Sequence, residues 1–99
     1  MPGTQAPQWR TEPKAVEIKC DHVRQGNDPA EFIVQFRVRG AEFTAFVPKK
    51  FVNSSNKVLK GFIVADVDGD WLVDLPVETL TSGSRIRVHK NDQVILLGE

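Results

Sequence analysis

The sequence predicts an all-β domain, a small antiparallel barrel of about six to seven short strands. Three observations predict it. Apolar residues recur at every second position in several short runs. Those runs are separated by Gly, Pro, Asn and Asp clusters, and no stretch shows the period of a long helix. At 99 residues the chain is one domain, large enough for a single core without staples.

The central run is Glu31 to Pro48. Phe32, Val34, Phe36 and Val38 alternate with Ile33, Gln35, Arg37 and Arg39, the pattern of a strand with one buried face. Gly40 tolerates positive φ, so a Gly40-Ala41 turn is expected, with Arg39 opposite Glu42, Val38 opposite Phe43 and Phe36 opposite Ala45. The outward face then carries Gln35, Arg37, Thr44 and Phe46.

Upstream, residues 1–13 hold Pro2, Pro7 and Pro13 and read as a disordered tail before a barrel domain over 14–99. Trp9 in that tail either docks or stays free. Val16, Ile18 and Cys20 alternate with polar residues in a first strand over about 15–24, and the turn-rich stretch Gln25 to Pro29 joins it to the hairpin as an antiparallel meander.

Pro48 ends the hairpin. Lys49 to Asn56 is a polar loop with room for one helical turn, and Phe51 and Val52 are expected to tuck inward. Val58 to Val67 is a long strand, and Asp68-Gly69 is a strong hairpin signal. Pairing outward from it puts Asp66 opposite Trp71, Val64 opposite Val73 and Phe62 opposite Leu75. Pro76 to Leu80 reads as a helical turn and Thr81-Ser82-Gly83 as a reverse turn. Arg85 to His89 then pairs with Val94 to Leu97, setting Val88 against Ile95 and Ile86 against Leu97. Strands joined mostly by hairpins suit a meander that curls on itself, an SH3-like or OB-like barrel.

Thirteen basic and thirteen acidic residues cancel, which argues against a strongly basic nucleic-acid protein. The charges are blocked along the chain, however. Residues 33–64 hold six bases (Arg37, Arg39, Lys49, Lys50, Lys57, Lys60) against Glu42. Residues 65–80 hold five acids and no base, and residues 81–90 hold Arg85, Arg87 and Lys90 with no acid. If the basic blocks converge, Phe46 and Trp71 offer stacking faces and the lysines grip phosphates. The first expectation is therefore a non-enzymatic module binding an anionic partner such as single-stranded nucleic acid through Arg37, Arg39, Phe46, Lys49, Lys50, Lys57, Lys60, Arg85 and Arg87. The alternative is a protein-interaction or accessory subunit using an edge strand or the Trp9 tail.

No metal or other cofactor is expected. Asp66, Asp68, Asp70 and Asp74 have calcium-loop spacing, but Trp71 stands where the loop needs Gly and Val77 where it needs Glu. One cysteine and two histidines fall short of a zinc set. They equally lack the nucleophile, base and orienting group of a hydrolase, so no enzyme is expected. No apolar run reaches the roughly 20 residues of a membrane span. A single cysteine and no signal-peptide pattern make the cytoplasm the expected location.

Overall fold

The computed structural model describes residues 6–81 and 83–97. Its elements are β1 (Gln8–Lys19), β2 (His22–Gln25), β3 (Glu31–Val38), β4 (Ala41–Pro48), a 3₁₀ turn (Lys49–Phe51), β5 (Val52–Asn53), β6 (Val58–Val67), β7 (Asp70–Thr79), β8 (Gly83–His89) and β9 (Ile95–Leu97). They form one antiparallel sheet, curled into a half-barrel, in the order β2-β3-β4-β7-β6-β1-β9. The short β5 lies against β6, and β8 lies against β7. Thr79 pairs with Ala45 on one side and Gly83 on the other, so β4 and β6 divide one side of β7 while β8 takes the other.

The alternation read from β3 is what the fold uses. Val34, Phe36 and Val38 are buried, Phe32 is half-buried against them, and Phe36 stacks on Phe43 at 5.3 Å. The turn differs from the expected one. Arg39 (φ 52°) and Gly40 (φ 82°) are its two central residues, so Phe36 opposes Phe43, Val34 opposes Ala45, and Arg37 opposes Glu42. Two consecutive positive φ values make the I′ geometry that matches strand twist, and it places Gly second. The resulting shift is two residues in partner number, so every side chain keeps its face. Asp68 (φ 48°) and Gly69 (φ 83°) turn the β6–β7 hairpin in the same way.

Other expectations are corrected. The stretch assigned to a tail divides: residues 1–5 lie outside the described residues, and Gln8 to Pro13 are the first half of β1, with Gln8 and Trp9 opposite Asp66 and Ala65. The expected first strand breaks at Cys20-Asp21. β2 joins the β3–β4 meander, but β1 leaves it to pair with β6 and β9. Pro76 sits within β7 rather than starting a helix, and Ser82 lies outside the described residues. β9 does not return to β8. It crosses to β1, with Ile95 opposite Ile18 and Leu97 opposite Val16.

That crossing constrains the curl. The Lys90 N–H donates to the Gly69 carbonyl (3.2 Å), and the Lys19 N–H donates to the Val94 carbonyl (2.7 Å). From Lys90 to Val94 is four Cα steps, at most about 14 Å. Lys19 pairs with Val58, and a straight strand from Val58 to Gly69 would cover about 36 Å. β6 is therefore bent. Two features allow it. The β6–β7 register shifts at Val64, between Ile63↔Val73 and Ala65↔Leu72, a one-residue bulge. Gly61 is also buried, where a Cβ would stand 3.1 Å from the Asp74 carbonyl oxygen and from Ile18 Cδ1.

Leu59, Gly61, Ile63, Ala65 and Val67 of β6 are buried. The expected pair of Asp66 with Trp71 forms, but the bulge sets Ile63 rather than Val64 opposite Val73, and Phe62 lies opposite Asp74 rather than Leu75. Ile63 and Leu59 pack with Val16, Ile18, Val73, Ile86 and Val88 in one core. Trp71, Phe51 and Val52 are half-buried against it. Gly61→Val should lower stability by about 1–3 kcal/mol, because the new methyl groups collide with the Asp74 backbone carbonyl as well as with the buried Ile18 side chain. Urea denaturation reads this, and an unchanged midpoint would show that β6 has slack at its bend.

Candidate functional site

β8 faces β7 in a register set by its apolar residues. Val73 opposes Ile86 and Trp71 opposes Val88, so the alternate row carries Asp74 opposite Arg85, Leu72 opposite Arg87 and Asp70 opposite His89. The acidic block and the second basic block therefore meet across one ladder. Arg85 Nε donates to Asp74 Oδ1 (2.6 Å), and Arg87 Nε donates to Asp70 Oδ2 (2.5 Å). Asp70 also meets Arg39 (3.5 Å) from the β3–β4 turn, with its own side chain only 7% exposed. The two basic blocks do converge, as Arg39 and Arg87, but a buried carboxylate stands at their junction.

Asp66 on β6 is a second such point, between Arg10 Nε (3.1 Å) and Lys90 Nζ (3.0 Å). The hydrogen bond from Arg87, added to the charge of Arg39, holds Asp70 below the usual carboxylate range against the opposing pull of burial. Burial pushes Asp66 upward, but hydrogen bonds and charge from Lys90 and Arg10 outweigh it and leave it low. The hydrogen bond to Asp74 raises Arg85.

The remaining predicted binding residues are dispersed. Arg37 pairs with Glu42 at 3.5 Å. Lys49 Nζ lies 4.9 Å from the Phe32 ring centroid, and Lys50 Nζ lies 5.1 Å from that of Phe51. Lys57 (φ 56°) ends the turn before β6, and Lys60 stands opposite Glu17. Phe46 is 44% exposed but opposes Ile33 rather than lying beside Arg37. Trp71, the other expected stacking face, packs on the core.

What the sequence reading missed is the outer face of β9, β1 and β6. Its first row is Leu96, Glu17 and Lys60, and its second is Ala15 and Phe62. Phe62 is 50% exposed and Leu96 41%. Two adjoining hollows share Phe62. One of about 310 Å³ is lined by Ala15, Val16, Glu17, Lys60 and Gly61, and one of about 290 Å³ by Pro13, Val64 and Asp74. Trp9, 58% exposed, lies with its ring 5.0 Å from the Arg85 guanidinium and so borders the Asp74 end. The signal was present in the first half of β6: Lys60 shares the parity of Phe62, whereas Leu59, Gly61 and Ile63 carry no charge.

Cys20 is buried at the end of β1, and burial, reinforced by Asp21, pushes its thiol up to about 12, so it is inert at neutral pH. His22 begins β2 and is exposed. Among the described residues no three His, Cys, Asp or Glu side chains are grouped to hold a metal ion. Among the described residues no helix is long and apolar enough to cross a membrane. No protein-family model, curated protein or solved structure matches the chain.

The lowered carboxylates make stability depend on pH. Their contribution is complete above the ordinary carboxylate value of about 3.9 and is lost as pH falls through the lower folded values of Asp66 and Asp70. The melting temperature should therefore be flat near neutrality and fall in acid. In Asp70→Asn it should be lower at neutral pH, with a shallower acid limb. An acid limb as steep as in the parent would show that Asp70 is not one of the titrating groups.

Proposed function

We propose that this chain is a non-enzymatic protein-interaction module whose binding surface is the apolar outer face of β1 and β6. The observation that supports the reading is exposed Phe62 between two apolar hollows, with Leu96 beside Glu17 at one end and Trp9 on Arg85 at the other, while Arg85 and Arg87 are engaged by aspartates. Exposed aromatic residues with an arginine beside them are the composition of interface anchors, and clustered exposed apolar groups mark contact sites. The flanking Glu17, Lys60 and Asp74 make a polar rim of mixed sign, suited to a protein surface rather than to a polyanion.

The test compares two exposed phenylalanines on different faces. Tagged chain retains partners from lysate, and Phe62→Ser is set against Phe46→Ser. Loss of a specific partner with Phe62→Ser alone is expected, an anchor truncation of about 2 kcal/mol or more. Equal retention by both variants contradicts the reading.

A second reading, the anionic partner, draws on a different row. Arg24, Ile33 and Phe46 lie side by side across the outer face of β2, β3 and β4. Among the described residues no ion pair involves Arg24, Lys49, Lys50, Lys57 or Lys60. A stacking residue in one row with Arg24, which makes no ion pair, suits single-stranded nucleic acid. On this reading, mixed single strands shift the protein in a gel at about 50 mM salt and release it by about 200 mM. Phe46→Ala weakens the complex by about 1–3 kcal/mol. No shift at low salt, or one indifferent to salt, rejects it.

A further inference from the structure

We propose that β8 is a strand-addition site for an extended segment of another protein carrying acidic side chains at alternate positions. The inference rests on the protein-interaction reading and specifies how the partner's backbone is held.

Among the described residues β8 pairs only with β7, so Gly83 to His89 present a row of backbone N–H and C=O groups on their other side. Seven residues span about 23 Å, enough for a strand of ordinary length. The other open edges are blunted in the ways that sheets use against unwanted pairing. β2 has four residues and β9 three. β9 covers only Val16 to Ile18 of β1, but the uncovered part contains Pro13 and the register shift between Trp9 and Lys14. β8 has no proline and is the longest uninterrupted open edge.

Charged side chains on an edge normally guard it. Here they are drawn off it: Arg85 and Arg87 turn back over β7 to Asp74 and Asp70. The backbone edge is left clear while positive charge stays close by. Arg10, Arg39, Arg85, Arg87 and Lys90 share only Asp66, Asp70 and Asp74, five cations on three carboxylates. An incoming strand with Glu or Asp on the arginine side balances that excess while Arg85 and Arg87 keep Asp74 and Asp70, and its alternate apolar residues extend the Ile86 and Val88 row. A second copy fits poorly. Antiparallel self-pairing centred on Ile86 sets Arg85 against Arg87, and centred on Arg87 it sets that arginine against itself. Trp9 on Arg85 connects this edge to the Phe62 hollows, so one partner can occupy both.

The experiment uses the full chain, isotope-labelled, with synthetic heptapeptides. One alternates glutamate and valine, and one alternates lysine and valine. Two more are the glutamate peptide N-methylated on either set of alternate amides. Amide exchange is followed by NMR with each peptide up to millimolar concentration. The glutamate peptide is expected to slow exchange along Arg85 to His89 about tenfold or more and to leave β2 unchanged. One N-methylated version loses the effect and the other keeps it, since only alternate amides face the protein, and the lysine peptide gives none. Unchanged exchange in β8, or equal loss with both N-methylated versions, overturns the proposal. So does slowing that tracks protein concentration without peptide, which identifies a second copy. Slowing confined to Ala15, Lys60 and Phe62 overturns strand addition while leaving the apolar-face reading standing. Slowing in β8 that persists in a Phe62→Ser chain supports strand addition even where that reading has failed.

Discussion

The pairing of β7 carboxylates with β8 arginines is the interaction on which the rest depends. Burying Ile86 and Val88 against Val73 and Trp71 leaves Arg85 and Arg87 on the alternate row, and the same parity puts Asp70 and Asp74 there. Half-exposed ion pairs contribute little to stability, so the apolar residues choose the register and the charges follow it. Their consequence is electrostatic. Asp70, buried between Arg87 and Arg39, offsets one of the two positive charges where the basic blocks meet. The segregated charges of the chain thereby meet in ion pairs, and Phe62 stands out beside them as an exposed apolar side chain.

That feature exists because β6 bends. A straight strand with both faces covered would hide Phe62. Gly61 lets the Asp74 backbone and Ile18 approach, and the bulge at Val64 realigns the strand against β7. Phe62 is left between the two features, on the convex side of the sheet, beside Ala15. Close packing inside and the hollows outside share one cause. β7, leaving β6 to join β4 at Thr79, widens the surface that Pro13 and Asp74 border.

How much of this was legible depended on whether neighbouring residues or distant ones decided the outcome. The inward row of β3 was plain, because Arg37 and Arg39 fall on the other parity. The Asp68-Gly69 turn was plain too, since Gly sits where positive φ is needed. The face of β6 before the bulge was misread by pairing outward from that turn, although Lys60 marks the solvent side there. Pro76 suggested a helix start, but a proline also fits a strand where β7 changes partner. Two features were beyond local pattern. That β9 crosses to β1 depends on loop reach and curl, and that Arg87 finds Asp70 depends on strand order. Residues of one charge in a block along the chain say nothing about which opposite charges stand across the ladder.

The central claim is that Arg85 and Arg87 are committed within the sheet and are not free to grip an external anion. Arginine side-chain NMR at low salt tests it most directly, with exposed Arg24 as the internal reference. The account predicts that the Nε–H signals of Arg85 and Arg87 exchange with water much more slowly than that of Arg24, and that they keep their positions as inorganic phosphate or a short single strand is added. Exchange as fast as at Arg24, with both signals moving as the anion is added, would contradict it.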